Sequence, residues 1–235
     1  MKQYLLETKL LDYNSIEIQK LIKERKWSEV NYKEKILYIY NYVRDEILFG
    51  YNLCDNLSSS VILSDGYGQC NTKGILFMSL LRAVAIPCRM HGFMINKILQ
   101  KGAITGLAYK LSPNEILHSW VEVFYKNRWL NLEGFILDIV YLTKLQKKFK
   151  RCTGIFCGYG VATKDFKNPQ IFWNNNDTYI QKEGITCDLG VFSSPDELFK
   201  EHMQNLNFIK KKIYENFVRH LMNRNVNKIR QSFEP

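Results

Sequence analysis

The chain has 235 residues, 46% of them hydrophobic and 14% aromatic, with a formal charge of +10. That length can bury one sizeable core, and that composition excludes a chain disordered over most of its length. The basic excess would suit an acidic partner. However, lysine and arginine are spread along the chain and gather only at Lys147-Lys148 with Lys150-Arg151 and at Lys210-Lys211-Lys212. A solvated basic surface is therefore expected rather than nucleic-acid binding.

Met1 to Lys9 holds no apolar segment of signal-peptide length, and no apolar run is long enough to span a bilayer. The expectation is a cytoplasmic protein without membrane association. Its six cysteines, at positions 54, 70, 88, 152, 157 and 187, are then expected to be reduced. Cys152 and Cys157 lack a second Cys/His pair at matching spacing, so no metal site is expected, and no cofactor.

Residues 15–26 predict a short amphipathic helix. Residues 31–49 predict a stronger one, capped by Asn31, with Ile36, Leu37, Ile39, Tyr40, Val43, Ile47 and Leu48 on its apolar stripe. Residues 50–69 predict a loop, with turns at Ser58-Ser59-Ser60 and Ser64-Asp65-Gly66. From Cys70 to about Val84 the pattern is helical and apolar nearly all round, as for a helix buried against a sheet. Ile86-Pro87 ends it, because proline pushes its predecessor out of helical geometry.

Strands are predicted at 88–95 and 117–125. The second alternates, with His118, Trp120, Glu122 and Phe124 on one side. A polar turn, Lys126-Asn127-Arg128, joins it to Trp129–Glu133, so 117–133 predicts a hairpin. A helix on an antiparallel sheet is an α+β arrangement. Residues 134–190 give only turns, at Gly154, Gly158 and Gly160, and a surface loop over 173–177. Ser194-Pro195-Asp196-Glu197 reads as a capping box with proline at the first helical position. An interrupted or kinked helix should follow to about Asn223, with the last ten residues frayed.

The chemistry concentrates in three segments. Gly66-Tyr67-Gly68-Gln69-Cys70 places a cysteine at a helix N-terminus, where free N–H groups and the helix dipole favour thiolate over thiol. His118 and Glu133 lie on neighbouring strands of the hairpin, whose register can set the imidazole beside the carboxylate. A thiol nucleophile, its base and the group that orients the base need these three residue types.

Gly-x-Cys before an apolar helix, Leu81-Arg82-Ala83 leading to Ile86-Pro87-x-Arg89, His118-x-Trp120-Val121-Glu122-Val123, and Trp129 followed by a carboxylate together resemble the transglutaminase-like superfamily of papain-type thiol enzymes. The resemblance covers about residues 35–138. It implies an α+β papain-like core with N- and C-terminal helices, Cys70 as nucleophile and His118 as general base and acid.

Glu133 falls where the family usually places aspartate. Asp138 and Asn131 are the alternatives for that third position. The backbone N–H of Cys70 is the first oxyanion donor this implies, with Tyr51 as candidate for the second. Gln69 could line the site. His91 is a rival base or a substrate-side residue, and is read first as peripheral. Trp120 and Trp129 are read first as core aromatics, with Trp120 also a lining candidate. Arg82 and Arg89 are expected as structural partners.

One domain over 1–235 is expected, with its core at about 31–138, a specificity-giving insert at about 139–190 that could also cover the cleft, and a helical tail at about 194–235. The substrate is expected to be a protein, a peptide or a small amide. Hydrolysis is favoured over cross-linking, because the sequence shows no added β-sandwich domains or acidic calcium loops. Acyl transfer to an amine and a non-catalytic scaffold of the same fold are the alternatives.

Overall fold

A computed structural model describes residues 1–203 and 208–232. Its N-terminal half is helical: α1 (Ile16–Glu24), α2 (Tyr32–Asp45), α3 (Ser59–Asp65) and α4 (Cys70–Ala83). Asn31 caps α2 through its side chain, accepting from the Glu34 N–H at 3.0 Å, while the Glu34 carboxylate accepts from the Asn31 N–H at 3.2 Å. This reciprocal pairing satisfies two N–H groups that a helix start otherwise leaves open.

Helix α3 lies in the segment predicted as loop. It has seven residues, too few for a clear apolar period, and Asp12 supplies its cap from 47 positions away. The Asp12 carboxylate accepts from the Ser59 hydroxyl and from the N–H and hydroxyl of Ser60.

Two short parallel strands, β1 (Leu48–Phe49) and β2 (Tyr67–Gly68), lead into the start of α4. Gly66, at φ +69°, ends α3 in the left-handed conformation that glycine adopts without strain. Gly68 is required for a different reason. A Cβ there would lie 2.6 Å from the Thr72 hydroxyl and 3.0 Å from Lys73 Cγ.

The principal sheet has four antiparallel strands: β3 (Cys88–Asn96), β4 (Glu115–Tyr125), β5 (Arg128–Leu132) and, at the far edge, β8 (Ile185–Phe192). Its order is β5-β4-β3-β8. Helix α4 is buried along nearly its whole length, as its all-round apolar pattern predicts. It approaches the sheet closely at Gly74, where an added Cβ would meet Met90 Cε at 3.4 Å and Val121 Cγ2 at 3.7 Å. Phe77 packs on Tyr40 of α2 and on Phe135, so α2, α4 and the sheet share one core. Each fully buried aliphatic or aromatic side chain in it contributes roughly 1.5–3 kcal/mol.

Between β3 and β4 lies the short helix α5 (Gly106–Leu111). After β5 come α6 (Ile139–Lys148) and the hairpin of β6 (Phe156–Gly158) and β7 (Val161–Thr163). Strand β8 had no clear sequence signature. Half its residues are exposed, its register with β3 shifts twice, and Gly190 stands at φ +93°. An irregular edge strand of this kind carries no clean alternation. Trp173 corrects the expected surface loop: it is buried and packs edge-on against Tyr125.

The chain ends in α7 (Pro195–His202), α8 (Phe208–Ile213), a π turn over Tyr214–Val218, and α9 (Arg219–Arg230). Ser194 caps α7 as predicted, but Glu197 reaches the N–H and hydroxyl of Ser193 rather than completing the box. The expected interruption is present, since α7 ends at His202 and a π turn precedes α9; residues 204–207 and 233–235 lie outside the described residues. Helix α9 continues seven residues past Asn223. The predicted fraying is absent through Arg230, because Met222, Val226 and Ile229 are buried and the Arg230 guanidinium pairs with Asp138 at 2.6 Å. No helix among the described residues is long and apolar enough to cross a membrane.

Candidate active site

Cys70 is the first residue of α4, so its backbone N–H has no partner within the helix. Gln69 and Thr72 fix the turn before it: the Thr72 hydroxyl accepts from the Gln69 N–H at 3.0 Å and donates to Asn52 Oδ1 at 2.7 Å. The side chain of Asn71 ties this helix start to β4. Its Nδ2 donates to the Leu117 carbonyl at 3.1 Å and its Oδ1 accepts from the Ser119 hydroxyl at 2.8 Å. Both partners flank His118, so the two bonds set Cys70 beside that histidine.

His118 and Glu133 are both fully buried, and His118 Nε2 lies 2.8 Å from Glu133 Oε1. Register explains the meeting. Val121 pairs with Leu132, so Glu133 stands just past the paired ladder, diagonal to His118 on the same face. The other carboxylate oxygen, Oε2, accepts three backbone N–H groups, from Ile180, Gln181 and Lys182 at 2.8, 2.9 and 3.1 Å. The Thr178 hydroxyl accepts from the N–H groups of Glu133 and Gly134. The longer arm of glutamate thus spans from the imidazole to a nest of backbone donors in residues 180–182.

His118 Nδ1 is buried and makes no hydrogen bond among the described residues. Burial pulls the imidazolium down, but the Cys70 sulfur and then the Glu133 carboxylate outweigh it, and the pKa of His118 stands well above its ordinary value. The Cys70 thiol itself is partly exposed.

Tyr51 is buried, with its phenol raised well above the usual range by burial first, then by Tyr141, Tyr214 and Cys70. The Gln69 amide is already engaged. Its Oε1 accepts from the Asn52 N–H at 2.9 Å and its Nε2 donates to Asp55 at 2.8 Å. Burial raises the pKa of Asp55, though its bonds to Gln69 and Asn71 oppose this.

The other candidates are tied to partners of their own. Both ring nitrogens of His91 are taken, Nδ1 by Glu122 and Nε2 by Asp188, each at 2.8 Å. Burial lowers its pKa, and the two carboxylates more than reverse this. The same Glu122 accepts from Arg89 Nε at 2.6 Å, and Arg89 lies over the Trp129 ring. Trp120 is buried and donates to Asn131 at 3.1 Å, and Asn131 also bonds Asp177 and Tyr179. Asp138 caps α6, accepting from the N–H groups of Tyr141 and Phe49 and pairing with Arg230. Arg82 donates to the carbonyls of Leu6, Cys88 and Ser193.

Three participants escaped the sequence reading: Asn71, Thr178 and the 180–182 backbone. Asn71 had a signal, since a polar side chain in the first turn of an otherwise apolar helix needs a partner. The nest is made of main-chain groups, which no residue type announces.

Residues 19–134 match the family model described as the transglutaminase-like superfamily, and over that segment the chain is transglutaminase-like. It is an α+β protein whose cysteine-bearing helix packs on an antiparallel sheet. Among solved structures, the chain is similar to one from Cytophaga hutchinsonii named "Putative Cysteine Protease", at 13% identity and a TM-score of 0.46. The similarity covers 83% of this chain and 47% of the other, so the chain spans about half the length of that structure. No curated protein matches it.

Proposed function

We propose that the chain is a thiol-dependent acyl enzyme that hydrolyses an amide or peptide bond. Cys70 is the nucleophile, His118 the base and acid, and Glu133 the carboxylate that orients His118. The observation that carries this proposal is the wholly buried His118–Glu133 pair, which leaves Nδ1 as the only open ring nitrogen beside a thiol at a helix N-terminus.

In this mechanism the Cys70 thiolate adds to the acyl carbon, and the carbonyl π pair moves onto oxygen. The Cys70 N–H and the Tyr51 hydroxyl donate to that oxyanion. As the tetrahedral adduct collapses, the C–N bond breaks and the leaving amine takes the Nδ1 proton of His118. A thioester remains. Water then attacks it, giving its proton to His118 Nδ1, and the second collapse frees the carboxylic acid and restores the thiolate. Glu133 holds Nε2 throughout, so the proton that moves is always the one at Nδ1.

The test is alkylation of Cys70 by iodoacetamide at pH 6, read by peptide mass spectrometry in wild type and in His118→Ala. Fast labelling that falls by a factor of roughly 10 or more in the variant is expected when imidazolium sustains the thiolate. Slow labelling, unchanged by the substitution, would overturn the proposal and leave a non-catalytic scaffold. Release of p-nitrophenol from p-nitrophenyl acetate, with and without methylamine, then separates hydrolysis from transfer by the product formed.

A further inference from the structure

Every stretch of backbone around Tyr51 is held by something outside its own strand, and most of those holds come from the C-terminal helices. The β1–β2 ladder ends with Phe49 and Gly68, and the Gly50 N–H donates to the Gly68 carbonyl at 3.0 Å. Beyond that point Asn223 of α9 takes over. Its Oδ1 accepts from the Tyr51 N–H at 2.7 Å and its Nδ2 donates to the Tyr51 carbonyl at 3.0 Å. One side-chain amide thus pairs with both polar groups of one residue, as a neighbouring strand would.

Tyr214 donates its hydroxyl to the Asn52 carbonyl at 3.1 Å, and Arg230 donates to the Phe49 carbonyl at 2.9 Å. Gly50 makes the approach feasible: a Cβ there would lie 3.2 Å from Asn223 Oδ1 and 2.9 Å from the Tyr67 ring. Meanwhile the Asn52 N–H is bound to Gln69, the neighbour of Cys70.

Covering the core needs only the apolar face of α9, which Met222, Val226 and Ile229 supply. Asn223 does something different. It fixes the φ and ψ of the residue next to Asn52, whose own N–H is bound to the side chain of Gln69, the neighbour of Cys70. We propose that Asn223 is a positioning residue, which through the Tyr51 backbone holds the Tyr51 hydroxyl as an oxyanion donor, so that the C-terminal helix is part of the reaction apparatus. This rests on the acyl-enzyme function proposed above.

The experiment uses the full chain and two reactions of the same thiol. Acylation by p-nitrophenyl acetate develops an oxyanion, whereas alkylation by iodoacetamide does not. Tyr51→Phe is expected to slow acylation on the order of 100-fold. Asn223→Ala is expected to slow it roughly 10- to 100-fold through misplacement. Both variants should alkylate at the wild-type rate across pH 5–8. The double variant should be no slower in acylation than Tyr51→Phe alone, since the two act through one hydroxyl.

Multiplied losses in the double variant, or wild-type acylation by Asn223→Ala, would overturn the proposal. So would a parallel fall in both reactions, which marks a general loosening of the site. If Asn223→Ala does not fold, Asn223→Asp serves: it keeps the acceptor for the Tyr51 N–H but sets an oxygen against the Tyr51 carbonyl, and the same three outcomes would overturn the proposal. Failure of the parent function reads differently, as alkylation independent of His118.

Discussion

Replacing Glu133 by glutamine changes one oxygen to an NH2 group, and the geometry fixes where that group must go. The three N–H groups of Ile180, Gln181 and Lys182 converge on Oε2. Only an oxygen can accept them. Turning the NH2 toward the nest would strand these donors at ~1 kcal/mol or more each, about 3 kcal/mol in all. By that margin, a factor of about 100, the glutamine oxygen stays in the nest and its NH2 faces His118 Nε2. Nε2 must then accept, so the imidazole proton moves to Nδ1 and the neutral ring can no longer take a proton there. The imidazolium is disfavoured too, because its Nε2–H would meet a donor.

Two consequences are measurable in Glu133→Gln. Alkylation of Cys70 at pH 6 should fall on the order of 100-fold relative to wild type, the factor set by that preference. The 15N resonances of His118 should report the Nδ1–H tautomer, against imidazolium in wild type. Melting should shift little, because the nest stays satisfied. Wild-type alkylation in a folded Glu133→Gln protein, or an Nε2–H tautomer, would refute the orientation argument.

Other regions give predictions of their own. Burial pulls Lys73 down to about 7, against the pull of Asp138 and Asp45, while Arg230 and Arg44 add to the lowering. In the unfolded chain the same ammonium titrates near its ordinary 10.5. The penalty for charging it is therefore complete below pH 7, shrinks as the pH rises, and is gone above 10.5. Urea denaturation from pH 7 to 10 should show wild type gaining stability relative to Lys73→Met, by up to about 1.4 kcal/mol per pH unit. Parallel curves would contradict this. Gly68→Ala drives a methyl into the Thr72 hydroxyl, which links Gln69 to Asn52. It should cost roughly 2–3 kcal/mol in the same assay, and a change below about 0.5 kcal/mol would refute the crowding.

The legible part of this chain is the part whose cause is local. Asn31 with Glu34, the apolar run after Cys70 and the turn at Lys126-Asn127 each decide their own element, and both helices start where predicted, but α2 stops at Asp45 rather than continuing to 49, and Leu48–Phe49 form β1. Alternation left the hairpin register open; the two-residue turn at Lys126-Asn127 sets it, pairing Tyr125 with Arg128 and so placing Glu133 on the His118 face. Helix α3 escaped because its cap is Asp12, and β8 escaped because an irregular, exposed edge has no pattern to read. The end of α9 escaped because Arg230 is fastened to Asp138, whose acidity its own helix cap and that guanidinium sustain against burial.

The same distinction bears on why glutamate can stand at position 133. With aspartate, a carboxylate placed to reach His118 would stop one methylene short of the nest at 180–182. With glutamate, both oxygens are engaged, and the wholly buried carboxylate carries four hydrogen bonds. A buried charge needs that degree of compensation, since each missing bond at a charged acceptor costs about 1.5–3 kcal/mol. The side chain and the segment 178–182 are therefore one unit. Glu133→Asp should lose more than Glu133→Gln in melting temperature, because it must abandon either the imidazole or the nest, and a smaller loss than Glu133→Gln would show that the segment follows the shorter side chain inward.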